Sequence, residues 1–128
     1  MIVDTSAIVA IFLREPGFEG LLDKLAGEPD ARIGAPTLAE TGIVLAARLR
    51  ADSRGVLERF VRRFEIQVLP FEGPHWQEAV FAWQRFGKGR HPAALNFGDC
   101  LTYAVARLSG RPLLFVGDDF SKTDLRAA

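Results

Sequence analysis

A chain of 128 residues with 16 Lys and Arg set against 16 Asp and Glu has the length of one ordinary domain and no formal net charge, which argues against two independent cores. Its 48% hydrophobic and 25% charged residues exclude disordered and fibrous classes, so a single domain over residues 1–128 is expected. The balanced charge, at first sight, also argues against a polyanionic partner.

The N-terminus, Met1-Ile2-Val3-Asp4, has no basic segment, long apolar core or cleavage site, so a secretory signal is not expected and a cytoplasmic location is. Residues 1–3 read as a first strand, residues 5–14 as a helix closed by Glu15-Pro16-Gly17, and residues 18–26 as a second helix closed by Gly27 and Pro29. The longest apolar run, residues 7–13, falls far short of the roughly 20 residues a membrane span needs. Residues 32–35 read as a second strand. Pro36 sits where a first-turn proline belongs, and Leu38, Thr41, Val44, Leu45 and Leu49 recur along one side of a helix running to about Arg50. Residues 53–64 place Val56, Leu57, Phe60, Val61 and Phe64 on a core face and Arg54, Glu58, Arg59, Arg62 and Arg63 on the other. A third strand at residues 66–69, a turn at 70–74 and a helix from about 75 to 86 follow. Trp76, Val80 and Trp83 share a face of that helix and are expected in the core. Residues 87–92 form a basic loop, Asn96 opens a helix ending near Ser109-Gly110, and residues 113–116 form the last clear strand, entering Gly117-Asp118-Asp119. Strands alternating with helices predict an α/β fold on a parallel sheet. The lone Cys100 can neither close an internal disulfide nor build a thiolate metal site, and reads as a small buried filler.

Four acids stand out. Asp4 follows the first strand, Glu40 lies one turn into the helix after the second, Asp99 is at a helix start, and Asp118 follows the last strand. Each has a plainer explanation: Asp4 can cap a helix, Thr37-x-x-Glu40 and Asn96-x-x-Asp99 resemble capping boxes, and Asp118 or Asp119 can shape a turn. Position changes the weighing, because all four are expected at the sheet edge where open α/β folds bind ligands. At about 5 Å and an effective dielectric of about 20, each pair of like charges costs about 3 kcal/mol; caps return only about 1 kcal/mol apiece. Raised pKa values or a bound cation must compensate, and an all-oxygen set favours Mg²⁺ or Mn²⁺.

Ile2-Val3-Asp4-Thr5-Ser6-Ala7, Glu40, Asn96-Phe97-Gly98-Asp99-Cys100 and Leu113-Leu114-Phe115-Val116-Gly117-Asp118-Asp119-Phe120, with Phe86-Gly87-Lys88-Gly89-Arg90-His91-Pro92 before the third motif, resemble the PIN domain and, more narrowly, the VapC toxins of bacterial toxin–antitoxin pairs. The resemblance spans essentially the whole chain. It implies a three-layer fold with a mostly parallel five-stranded sheet flanked by helices, and a Mg²⁺-dependent endoribonuclease in which Mn²⁺ can substitute. Carried onto this sequence, Asp4, Glu40, Asp99 and Asp118 are the catalytic acids, with Asp119 as the substitute for Asp118. Asp4 and Asp99 would hold the principal ion, Asp118 would complete the site directly or through water, and Glu40 would orient or deprotonate the attacking water. Thr5 or Ser6 supports the site through its hydroxyl, or satisfies a helix-start N–H. The implied partners are RNA, a VapB-type antitoxin and a second copy of the chain.

Neither His75 nor His91 is read as catalytic, since water activated by a metal needs no imidazole. No acid lies between Glu78 and Asp99, while Arg85, Lys88, Arg90 and His91 do. The Gly87-Lys88-Gly89-Arg90 loop can hold RNA phosphates or stand solvated; its glycines do not match a nucleotide P-loop. Thirteen of the basic residues are Arg, six of them between Arg48 and Arg63, an RNA path or a solvated helix face. Two other classes compete: a receiver-like phosphoacceptor, which wants an acid after the third strand where this chain has Pro70 and Phe71, and a catalytically inactive protein-binding module of the same fold. Setting aside the four site acids leaves 12 acids against 16 bases, so the neutral total divides into an acidic pocket and a mildly basic exterior compatible with RNA.

Overall fold

A computed structural model describes residues Met1–Ala128. Its elements run β1 (Ile2–Val3), α1 (Thr5–Phe12), α2 (Phe18–Ala26), β2 (Arg32–Gly34), α3 (Ala35–Leu49), α4 (Arg54–Arg63), β3 (Gln67–Leu69), α5 (Gly73–Phe86), α6 (Phe97–Ser109) and β4 (Leu113–Leu114), with a short 3₁₀ turn over Phe120–Lys122. The strands form one parallel sheet in the order β3-β2-β1-β4, with Ile2 opposite both Arg32 and Leu113. The chain builds outward from β1 to β3 and then crosses to the other flank for β4. The crevice at the carboxyl ends of β1 and β4 is therefore the topological switch point, where such sheets bind ligands.

Strand periodicity divides the interior. Ile2 and Leu113 point into a core with Ala79, Ala82, Phe86, Leu95, Tyr103 and Val105, under α5 and α6. Their neighbours Val3 and Leu114 point into a second core with Ile8, Leu25, Ile33, Leu45, Leu57 and Ile66. At β1 and β4 both faces of the sheet are covered, which is why these strands read as unbroken apolar runs rather than as alternation, whereas the edge strand β3 is largely exposed.

Four expectations change. The sheet has four strands, not five: the C-terminal segment contributes a single bridge, Leu113 to Ala127, through Leu113 N–H to the Arg126 carbonyl at 2.9 Å and Ala128 N–H to the Leu113 carbonyl at 2.8 Å. β4 stops at Leu114, not at 116, because its partner β1 ends at Val3 and the last ladder bond runs from Asp4 N–H to the Leu114 carbonyl at 3.0 Å. The α5 face of Trp76, Val80 and Trp83 is exposed, not core, at 57, 47 and 43%. The parallel stripe Ala79, Ala82 and Phe86 is buried instead; small residues let α5 approach α6 closely, and two apolar stripes one residue apart share the same period. α5 also starts at Gly73, with Pro74 in its first turn and the Glu72 N–H donating to His75 Nδ1 at 3.0 Å.

Candidate active site

Asp4 emerges from β1 as the N-cap of α1 and is 4% exposed. Its Oδ2 accepts from the Ser6 N–H at 3.0 Å and the Ser6 hydroxyl at 2.6 Å, while Oδ1 accepts from the Thr102 hydroxyl at 2.8 Å. A carboxylate offers about four acceptor positions, so one remains for a further ligand. The Ser6 Oγ also accepts from the Val116 N–H at 3.0 Å, tying the segment after β4 to the end of β1.

Glu40 reaches the same edge from α3. The Thr5 hydroxyl lies 2.9 Å from Glu40 Oε1 and 3.0 Å from Thr41 Oγ1. With the Thr41 proton donated to the Thr37 carbonyl at 2.8 Å, the single Thr5 proton goes to the charged acceptor. Opposite stands Gly98, in the first turn of α6. A Cβ there would collide with the Glu40 carboxylate, coming 2.8 Å from its Cδ, so the missing side chain is what admits Glu40. The expected Thr37-Glu40 capping box does not form: α3 starts at Ala35, and the Thr37 hydroxyl meets the Thr102 hydroxyl at 3.1 Å.

Asp99 occupies the third helical position of α6 in a capping box with Asn96. Asp99 N–H donates to Asn96 Oδ1 at 2.9 Å and Asn96 N–H to Asp99 Oδ2 at 3.1 Å. Burial pushes its carboxyl up to about 6 against that hydrogen bond, and the charges of Asp4, Asp119 and Glu40 push the same way. Asp118 and Asp119 are both exposed, on a loop anchored by the buried Phe120 and by Ser121 Oγ donating to the Asp118 carbonyl at 2.7 Å. Asp4 and Glu40 share this edge with Asp99, Glu40 lying against the neighbouring Gly98 and Asp4 held by Thr102 one turn on, and the charge of Asp119 also reaches Asp99.

None of the eight ion pairs in the molecule involves these acids. Arg85 and Arg107 serve Asp124, Arg32 and Arg111 serve Asp30, and Arg54 and Arg62 serve Asp52 and Glu58. The site's negative charge is left without a protein cation, although two helices, α1 and α6, begin there with their positive ends. Oxygen donors alone suit a hard divalent ion. No three acids close on one point as a finished cage, and Mg²⁺ does not require one, since it keeps several waters and takes one or two carboxylates. The residues therefore fit such an ion.

The pKa of Asp99 has a consequence for the cation-free protein. Across the window from 3.8 to about 6, the folded chain keeps a proton that the unfolded chain has lost, so stability falls as pH rises. Thermal melts in chelator are expected to show this fall, Mg²⁺ at neutral pH to offset it, and Asp99→Asn to lack it. A variant whose melting temperature tracks the parent at every pH would contradict this origin.

His75 and His91 are engaged elsewhere, His91 Nδ1 accepting from the Ala93 N–H at 3.0 Å. In the basic loop Lys88 and Arg90 are exposed and have no acid partner, and the Arg90 guanidinium lies 4.2 Å from the centre of the Trp83 ring. On α4, Arg54 and Arg62 pair with neighbouring acids, as a solvated face does. The structure adds Thr102, Thr37 and Gly98 to the sequence's candidates. The available signal was spacing: Thr102 follows Asp99 by three residues and so shares its helix face.

The PIN domain family matches residues 1–125. The chain is 48% identical to the ribonuclease VapC36 of Mycobacterium tuberculosis over 98% of this chain and 91% of the relative. It is 39% identical to the ribonuclease VapC of Mycolicibacterium smegmatis over 99% of this chain and 98% of the relative. Among solved structures, the M. tuberculosis VapC20 toxin, described as cleaving the sarcin–ricin loop, aligns at a TM-score of 0.80 and 18% identity over 99% of this chain and 97% of its own. A chain of a toxin–antitoxin complex from Klebsiella pneumoniae aligns at 0.70 and 18% identity over 96% and 92%. Those two likenesses are of fold.

Proposed function

Because the chain belongs to the PIN domain family, with VapC ribonucleases among its relatives, and its unpaired acids gather at the switch point of the sheet, we propose that it is a divalent-cation-dependent endoribonuclease, the toxin of a toxin–antitoxin pair. The observation that carries this is that Asp4, Glu40 and Asp99 share one edge, Glu40 lying against Gly98 next to Asp99 and Asp4 held by Thr102 one turn beyond it, with none of them paired to a protein cation.

Asp4 and Asp99 would hold Mg²⁺ or Mn²⁺, and Asp118 or Asp119 would complete the site; the charge felt at Asp99 favours Asp119. Bound there, the ion would supply a nucleophile near neutral pH and neutralise charge developing on the phosphate. Ser6 and Thr102 fix the Asp4 carboxylate, and the Asn96 N–H fixes Asp99. Glu40, oriented by Thr5 and backed against Gly98, would accept the proton of the attacking water. Unpaired Lys88 and Arg90 suit RNA phosphates, and Phe97, 79% exposed within the Asn96–Asp99 cap, offers a face to an unstacked base.

An antitoxin is the proposed occupant of a groove of about 790 Å³ between α3 and α4, floored by Leu38, Ala39, Ile43, Leu57 and Val61 with Arg54 and Arg62 on its rim. Ile43 is 71% exposed there, an apolar surface of the kind a partner helix or strand covers. The exposed Trp76, Val80 and Trp83 stripe is the proposed contact between two copies. No helix is long and apolar enough to cross a membrane. Brief expression in a bacterial host is expected to arrest growth and create discrete new RNA 5′ ends, with both effects relieved by the co-expressed antitoxin. Growth arrest without new 5′ ends would contradict a nuclease toxin.

A further inference from the structure

Thr102 stands out because its hydroxyl does something a helical threonine usually avoids. In a helix the ordinary partner of a Thr hydroxyl is the carbonyl one turn back, and Thr41 takes it, donating to the Thr37 carbonyl at 2.8 Å. Thr102, 1% exposed in the middle of α6, turns away from its own helix and donates at 2.8 Å to Oδ1 of Asp4, which lies 98 residues earlier in the chain. A hydroxyl has one proton to give. With that proton committed to Asp4, the 3.1 Å contact between Thr37 and Thr102 assigns the donor role to Thr37.

The result is a directed two-step relay, from Thr37 on α3 through Thr102 on α6 to the acid at the end of β1. No buried polar side-chain atom is left without a partner, so both hydroxyls of the relay are engaged. Ser6 holds the other oxygen of the same carboxylate. Ser6 holds it from the first turn of α1, its Oγ tied in turn to the Val116 N–H. Thr102 is on a separate element and so fixes the carboxylate against α6, the helix that also carries Asp99.

We propose that Thr102 is a positioning residue of the nuclease, setting the angle of the Asp4 carboxylate so that its one free acceptor position faces a divalent cation shared with Asp99. The proposal rests on the cation-dependent reading of the site. Groups that orient a metal-holding carboxylate are worth about 10–100-fold in affinity or activity.

A Mn²⁺ titration of the RNA-free protein by calorimetry, together with crystal structures grown without the ion, tests this role. Thr102→Val keeps the side chain's shape but removes the donor; Thr102→Ser keeps the donor and removes a methyl. The Val variant is expected to bind Mn²⁺ about 10–100-fold more weakly with its Asp4 carboxylate turned, and the Ser variant to bind as the parent does. Parent-like Mn²⁺ affinity in Thr102→Val, or equal losses in Val and Ser, overturns the proposal. If the parent itself binds no Mn²⁺, the cation reading fails; the cation-free structures then still judge Thr102, an unmoved Asp4 in Thr102→Val overturning its positioning role.

Discussion

Asp99→Asn is expected to stop RNA cleavage and, in the same protein, to raise the melting temperature of the cation-free form at neutral pH. The two effects share a cause. Burial drives the Asp99 carboxyl up to about 6, with the charges of Asp4, Asp119 and Glu40 pushing the same way, so at neutral pH the folded chain must hold an ionised group where ionisation is disfavoured. The amide removes that charge while its side-chain oxygen can still accept from the Asn96 N–H, the bond Asp99 makes at 3.1 Å. The helix start survives and the repulsion does not. Catalysis loses a ligand for an ion worth several kcal/mol of charge stabilisation, a fall of about 10³-fold or more in rate. Paired cleavage assays and thermal melts in chelator read both effects. A variant that loses both activity and stability would place Asp99 among ordinary capping residues.

Gly98→Ala is expected to disable the enzyme without unfolding it. The added methyl would press on the Glu40 carboxylate, 2.8 Å from its Cδ. What it meets is the far end of a flexible side chain, so Glu40 swings aside and the backbone stays. Alanine is also the better helix former, by up to about 1 kcal/mol in a helix interior, which keeps the first turn of α6 in place. If Glu40 takes the proton from water, its displacement lowers the rate about 10²–10⁴-fold, as Glu40→Gln should. The double variant is then expected to be no slower than Glu40→Gln alone, because both changes remove one interaction. Parent-like cleavage by a folded Gly98→Ala protein would exclude a role for Glu40 at its observed position.

Much of this arrangement was legible in the sequence because strand ends, caps and acids coincide. β1 and β4 are short apolar runs followed at once by Asp4 and by the segment leading to Asp118 and Asp119, and Asn96-x-x-Asp99 has capping-box spacing that the structure realises. What was not legible depends on partners distant in the chain. Whether Trp76 or Ala79 faces inward depends on how closely α6 approaches α5, and the two stripes have one period. Nothing in the spacing of Thr37 and Thr102 indicates that their hydroxyls meet. The order of Asp118 and Asp119 around Asp99 depends on a loop whose direction is set by Ser6 holding Val116. The fifth strand dwindled to one bridge because β4 itself is only two residues long.

Cleavage of a labelled RNA by the purified protein, followed while Mg²⁺ or Mn²⁺ is titrated in and then removed with chelator, tests the four-acid nuclease most directly. The rate should saturate with added cation, vanish with chelator, return when the ion is restored, and be absent from Asp4→Asn at every concentration. Undiminished cutting in excess chelator, or by Asp4→Asn, would contradict it.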